Sequence, residues 1–174
     1  MFSLNDQGTA KTNGHAVAMP LPTDGPVGAS APQNATRTMA GVLGEIVWLM
    51  SQSPMHKQFF ISDIEWFAMT PALLRQFRLF YDKEKPVGVL FWALVNDEVE
   101  ERLSTGGGRL RPKDWKCGDN LWVVELVAPF GPVGAGRVSL PEAMVADFKE
   151  KVFPANEIKM LVRNPDGKLA VRIV

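Results

Sequence analysis

The chain has little with which to build a metal centre. It carries 1 cysteine and 2 histidines among 174 residues, so no internal disulfide and no multi-cysteine zinc or iron–sulfur site is available. Net charge is missing as well. Lys and Arg number 19 against 19 Asp and Glu, which argues against a nucleic-acid partner held by bulk electrostatics. The longest apolar run, Val87 to Val95, falls far short of the ~20 residues that span a bilayer, so no stable membrane insertion is expected. The opening Met1-Phe2-Ser3-Leu4-Asn5-Asp6-Gln7 lacks a basic segment followed by an apolar one, and no secretory signal is read there. These absences point to a soluble protein in a reducing, cytoplasmic setting. What is present is apolar material, 46% of residues, enough for a real core. The length suits about one domain, on the usual ~100–200 residues each.

Residues 1–40 differ from the rest. They hold four Pro, four Gly and one aromatic, Phe2, and their four charges cancel. Such a stretch buries too little apolar surface to offset an ordering entropy of roughly 1–2 kcal/mol per residue, so a flexible tail is expected, with His15 solvated inside it. From 41 onward the pattern changes. Val42, Leu43, Ile46, Val47, Leu49 and Met50 recur at helical spacing, predicting an amphipathic helix over 41–52 that ends before Pro54. Ser62-Asp63-Ile64-Glu65 has the form of a capping box and opens a second helix, which Pro71 should interrupt. Val87–Val95 and Leu121–Val127 read as strands, with a short acidic helix over 96–103 and a loop at Gly106-Gly107-Gly108 between them. Ser139 and Glu142 form another capping box, ahead of a stripe made by Leu140, Met144, Phe148 and Val152. Asn164-Pro165-Asp166-Gly167 separates two closing strands as a hairpin. The expected architecture is α/β (α+β), a mixed sheet with helices.

Few residues suit acid–base or nucleophilic chemistry. His56 is the only histidine outside the expected tail, and it follows a helix end and a proline. With an unperturbed pKa of ~6.5 it is the side chain best suited to proton transfer near neutrality; the plain alternative is a surface or internally satisfied histidine. Glu125 is surrounded by apolar neighbours in Leu121-Trp122-Val123-Val124-Glu125-Leu126-Val127. It is either the outward member of an edge strand or a buried carboxylate needing a partner, for which His56 is the candidate. Gly131-Pro132-Val133-Gly134-Ala135-Gly136 precedes a capped helix, so its backbone N–H groups can approach a phosphate or oxyanion, although a plain loop is the commoner meaning of such a run and the Lys-Ser/Thr of a P-loop is missing. Cys117, in a loop without a neighbouring histidine, makes a poor nucleophile. Arg109, Arg111, Lys113 and Lys116 form a basic stretch that is either a solvated face or a dock for an acidic partner. Phe59, Phe60, Trp66, Phe67, Phe91 and Trp92 read as core, or as the walls of an apolar ligand groove.

Several segments together resemble the RTX toxin-activating lysine acyltransferases, the hemolysin-activating family. The first block is Gly44 to His56, with Gly44, Trp48, Ser53, Pro54 and His56 as its matching residues. The second is Asp114-Trp115-Lys116-Cys117-Gly118-Asp119-Asn120-Leu121-Trp122, of the form D-W-x-x-G-D-x-x-W, which leads into Ala128-Pro129-Phe130-Gly131. Pro86-Val87 with Trp92-Ala93, and Lys151-Val152-Phe153-Pro154, complete a collinear match over roughly 41–164.

This resemblance implies a GNAT-like single domain over 41–174, with a mixed, mostly antiparallel sheet flanked by helices. It implies transfer of a fatty acyl chain from acyl-acyl carrier protein, through its phosphopantetheine thioester, to internal lysines of an RTX protoxin, without a permanently bound cofactor. It also allows a homodimer. The family's catalytic histidine falls on His56, the serine of its S-x-x-H on Ser53, and its catalytic aspartate on Glu125, a departure that keeps the charge and adds a methylene. The expected donor contacts are Gly131, Gly134 and Gly136 together with Arg109, Arg111 and Lys113, the basic residues facing the acidic carrier. Two other readings remain open at this point: a coenzyme A-dependent GNAT acetyltransferase, and a non-catalytic module that binds an acyl chain or a secretion partner.

Overall fold

The computed structural model describes residues 38–106, 109–130 and 139–174. Most of the expected tail, with His15, and the glycines Gly131, Gly134 and Gly136 lie outside the described residues. The first helix, α1 (Met39–Gln52), begins slightly earlier than the periodicity predicts, because the Thr38 side chain accepts the Gly41 N–H at 3.1 Å and caps it. A short 3₁₀ turn follows at His56–Gln58.

The second helical segment departs from expectation in two ways. Its entry is held by Asp63 rather than Ser62: the Asp63 carboxylate accepts the N–H of Phe60 at 2.9 Å and the indole N–H of Trp66 at 3.0 Å. Pro71 does not interrupt it. Residues Glu65–Met69 form a π-helical turn in which the Thr70 N–H reaches back to the Glu65 carbonyl, and α2 (Thr70–Leu73) continues with Pro71 in its first turn. A proline lacks the N–H that an α-helix needs in its interior but is tolerated in a first turn. The wider π turn resets the helix so that Pro71 falls there.

The sheet consists of β1 (Phe77–Asp82), β2 (Lys85–Val95), β3 (Asn120–Val127), β4 (Lys159–Arg163) and β5 (Leu169–Ile173), in that spatial order. Every neighbouring pair is antiparallel except β3–β4. The acidic helix α3 (Asp97–Ser104) links β2 to the loop before β3, and α4 (Leu140–Lys151) sits between β3 and β4, its Ser139–Glu142 capping box formed. This is the α/β, GNAT-like arrangement of a mixed, mostly antiparallel sheet flanked by helices. β3 is the middle strand in spatial order, but at Glu125 it is paired on the β2 side alone. It pairs with β4 only at Trp122↔Lys159 and Val123↔Met160, after which the two parallel strands diverge.

Alternation along β2 explains the two cores. Val89, Phe91, Ala93 and Val95 face α1 and the π-helical segment, whereas Leu90 and Trp92 face Met144, Val145 and Phe148 of α4. The predicted α4 stripe is therefore the lid of the second core. The sheet's end is tied down by the D-W-x-x-G-D loop: the Leu94 N–H donates to the Trp115 carbonyl, and the N–H groups of Cys117 and Gly118 return to the Leu94 carbonyl. Gly118 is required by this closeness, since a Cβ there would lie 2.5 Å from both the Val95 carbonyl oxygen and the Asn96 nitrogen. Neither backbone atom can swing aside. Gly118→Ala is expected to cost about 1–3 kcal/mol, the usual range for overpacking, read as a lower urea midpoint; an unchanged midpoint would show that the loop is free to shift.

Candidate functional site

The serine–histidine spacing produces a rigid imidazole. Ser53 is the residue at which α1 ends, with extended backbone angles. Pro54 then starts a tight turn in which the Ser53 carbonyl accepts the N–H groups of His56, at 3.2 Å, and Lys57, at 3.0 Å. Three residues make one such turn, so the Ser53 hydroxyl returns to face the ring, with Oγ 2.7 Å from Nδ1. Backbone and side chain of one serine thus fix one histidine. The ring is only 5% exposed and lies against Phe59 and Phe67, at centroid distances of 5.5 and 5.6 Å.

Glu125 reaches that ring because β3 contains a bulge. Phe91 on β2 pairs with Glu125, but the next β2 residue, Trp92, pairs with Val123. Val124 is the extra residue. Before the bulge, Trp122 faces the α1 side and Val123 the α4 side; after it, Leu126 faces α4 and Val127 faces α1. Two consecutive side chains, Val124 and Glu125, consequently share the α1 face. With strict alternation Glu125 would point into the apolar packing beneath α4, where an unpaired carboxylate is too costly. Bulges re-aim side chains in this manner beside active sites. Here one carboxylate oxygen accepts the Leu126 N–H at 3.0 Å, while the other stands 3.9 Å from His56 Nε2.

The 3.9 Å separation exceeds the ~2.7–3.2 Å of a direct N–H···O bond. It does suit a third polar atom seated to one side and bonded to both groups. The ring's orientation therefore comes from Ser53 at Nδ1, and the carboxylate stands on the opposite, Nε2, side. Its side chain is 36% exposed, so the pair is reachable from solvent.

Two cavities each touch one member of the pair, and a third opens off the first of them. One of about 330 Å³ has Glu125 and Val124 in its wall, with Phe59, Trp66, Phe67 and Trp115. A second, of about 490 Å³, shares Trp66, Arg109 and Leu110 with the first and extends to Met69, Leu73 and Pro112. A smaller one of about 130 Å³ is walled by His56 itself with Val47, Met50, Ile61 and Ile64. Phe60, expected in the core, is instead 75% exposed beside it.

The basic stretch is partly spoken for. The Arg109 guanidinium lies 4.2 Å over the Trp66 ring. Arg111 donates its backbone N–H and its Nε to Asp114, at 3.0 and 3.2 Å, and Arg102 donates to the same oxygen at 2.8 Å. Arg109 and Arg111 both line the 490 Å³ cavity, whereas Lys113 and Lys116 are exposed. Burial alone would push the Asp114 carboxyl up, but the hydrogen bonds from Arg102 and Arg111 outweigh it and hold it at about 2.

The structure thus brings Ser53, His56 and Glu125 together, and puts Arg109 where the two larger cavities meet and Arg111 on the one farther from the pair. Two motif residues also meet: Trp48 of α1 lies 5.6 Å from Phe130, and the Lys85 ammonium sits 4.5 Å over the Phe130 ring. Sequence reasoning missed the bulge and the role of Trp115 as a cavity wall. The run Val123-Val124-Glu125 gave no alternation from which an extra residue could be read.

Comparison with known proteins agrees with this arrangement. The sequence model of the RTX toxin acyltransferase family matches residues 35–174. The chain is 31% identical over 134 residues to an uncharacterized protein of Synechocystis, sll0720, covering 76% of this chain and 86% of that one. It is 30% identical over 127 residues to the lysine-acyltransferase RtxC of Vibrio cholerae, covering 70% and 76%. It is 34% identical over 88 residues to the protein-lysine palmitoyltransferase CyaC of Bordetella bronchiseptica, covering 51% and 48%. The fold and these likenesses define an acyltransferase. The chain belongs to the RTX toxin acyltransferase family.

The buried Asp114 makes a pH prediction. Its folded pKa lies below the ordinary 3.8, so its contribution to stability is complete above that value and is lost as pH falls towards about 2. The stability difference between the parent protein and Asp114→Asn should be largest near neutrality and shrink across pH 4 to 2 in urea titrations. A difference that stays constant over that window would deny the ion pair its role.

Proposed function

We propose that this protein transfers a fatty acyl group from the phosphopantetheine thioester of acyl-acyl carrier protein to internal lysines of an RTX-type protoxin in the cytoplasm, with His56 as general base. The observation that carries the reading is the buried imidazole, fixed at Nδ1 by Ser53, with a carboxylate 3.9 Å from its other nitrogen at the wall of an aromatic cavity.

A thioester is already activated. The obstacle is the acceptor, since a lysine with a reference pKa of ~10.4 is almost wholly protonated near pH 7. An ammonium seated beside both His56 Nε2 and Glu125 Oε2 is attracted by the carboxylate and offers a proton to the ring. For Nε2 to accept it, Nδ1 must carry hydrogen and donate it to Ser53 Oγ, as the 2.7 Å contact permits. The freed amine attacks the thioester carbonyl carbon and forms the C–N bond. The C–S bond of the tetrahedral intermediate then breaks as the imidazolium gives its proton to the departing sulfur, which leaves as a thiol. The nitrogen's second proton passes to the imidazole, neutral again, and from it to solvent. Glu125 steadies the positive charge on the ring while it exists.

The divergence of β3 from β4 beyond Val123 and Met160 leaves the second half of β3 without a strand on that side among the described residues. An extended pantetheine arm fits such an opening with its amides alongside the β3 backbone. The similarity to a lysine-acyltransferase of Vibrio cholerae and a protein-lysine palmitoyltransferase of Bordetella bronchiseptica supports lysine as acceptor and a long acyl chain as cargo.

The test is reconstitution with an RTX protein, followed by mass spectrometry of its lysines, with acetyl-coenzyme A as the control donor. His56→Ala should lose at least the ~10²–10⁴-fold that general-base assistance supplies, with circular dichroism unchanged. Activity within about tenfold of the parent would reject His56 as the base. Glu125→Gln, which keeps the shape and removes the charge, should lower kcat, and Glu125→Asp should retain more activity than Gln. Equal activity in all three would leave Glu125 as a bystander. Efficient acetyl transfer with none from carrier-bound donors would overturn the proposed donor.

A further inference from the structure

We infer that the acyl chain of the donor lies in the 330 Å³ cavity beside Glu125 and continues beneath the Trp66–Arg109 stack into the 490 Å³ cavity, whose far wall, at Met69 and Leu73, sets the longest chain accepted. This rests on the acyl-transfer reading above and adds to it the direction in which the donor lies.

Three features of the molecule lead there. The first cavity is walled by Phe59, Phe67, Trp115 and Val124, with Glu125 as its one acidic member, so a thioester carbon held beside the His56–Glu125 pair has hydrocarbon-compatible walls directly ahead of it. The second cavity is reached through shared walls, Trp66, Leu110 and Arg109. Trp66 is pinned at that junction from three sides: its indole N–H donates to Asp63, the Arg109 guanidinium covers one face, and Phe59 stacks at 6.2 Å. This constriction, made by the Trp66 ring, Leu110 and the Arg109 side chain, separates short chains, which end in the first chamber, from long ones, which enter the second.

Direction follows from strand order. β3 opens away from β4 at its C-terminal end, whereas the loop carrying Arg109 and Leu110 runs to Lys116, which bridges Leu94 near the N-terminal end of β3. An arm entering along the divergence meets Glu125 first and directs its acyl tail towards Arg109. The carrier protein then sits at the divergent end. Arg109 and Arg111, already engaged with Trp66 and Asp114, serve as walls of the tail cavity.

The rival occupant is the small apolar groove of Val47, Ile61 and Ile64 on the other side of His56. Its volume of about 130 Å³ is the liquid volume of roughly four waters, room for only a short stretch of hydrocarbon. In this assignment it faces the acceptor.

The test fills the far chamber from its exposed side. Met69→Trp, with Leu73→Trp as a second variant at a 64% exposed position, leaves Ser53, His56 and Glu125 untouched. With octanoyl-carrier protein, kcat/KM should stay near that of the parent. With palmitoyl-carrier protein it should fall by at least about tenfold, equivalent to roughly two methylenes driven out of an apolar site. Calorimetric titration with octanoyl- and palmitoyl-pantetheine should show the same length-selective loss without any turnover. Equal losses at both lengths, or none at either, would overturn this placement of the tail. A parent protein that transfers no acyl group from any donor would instead sink the proposed function, and the calorimetric ratio would still decide where the tail lies.

Discussion

One extra residue in β3 governs the site. A strand in the middle of a sheet packed on both sides has no place for a carboxylate, because each face is apolar and the cost of an unpaired buried charge is prohibitive. The bulge at Val124 resolves this by putting Val124 and Glu125 on one face, where the Leu126 N–H and the His56 ring are waiting. The same irregularity brings Val124 into the cavity wall. Carboxylate and cavity wall therefore depend on a single two-against-one pairing with Phe91.

Around it, the chain fixes its reactive groups with short local devices and fixes their surroundings with long-range ones. The Ser53–His56 pair is made within one turn and needs no distant partner. The loop over residues 109–119 has no regular strand to hold it and relies on Asp114 gathering Arg102 and Arg111, on Trp115 and Cys117 pairing with the end of β2, and on Gly118 fitting between backbone atoms. The D-W-x-x-G-D motif is in this light a clamp, whose tryptophan doubles as a wall of the cavity. Its aspartate acts on the fold and has no contact with the His56–Glu125 pair among its hydrogen bonds.

The elements with strong periodicity were legible in the sequence. The helices α1 and α4, the apolar run that became β2, and the closing hairpin all follow from spacing, caps and turn residues, and S-x-x-H is a local geometry that spacing alone implies. Interruptions were read less well. Pro71 looks like a stop because α-helical hydrogen bonding forbids it, and nothing in Glu65-Trp66-Phe67-Ala68-Met69 announces that the preceding turn is wider. Glu125 was ambiguous for a related reason: period-two reasoning assigns a face only while alternation holds, and the bulge breaks it. Phe59, Trp66 and Phe67 were legible as buried aromatics, yet whether aromatics enclose a core or a chamber depends on what faces them, which is long-range information. Phe60, adjacent to them, turned out to face solvent.

The π-helical turn has a consequence for how this segment tolerates change. It spends one residue more than an α-helix of the same rise, so the helix on its far side is rotated by about 100° relative to an uninterrupted one. Trp66 and Met69, both within that turn and three residues apart, share one cavity wall. Shortening the stretch by a residue would restore a regular helix on paper, but it would carry the proline into an interior position. Length, more than side-chain identity, is what this stretch must keep.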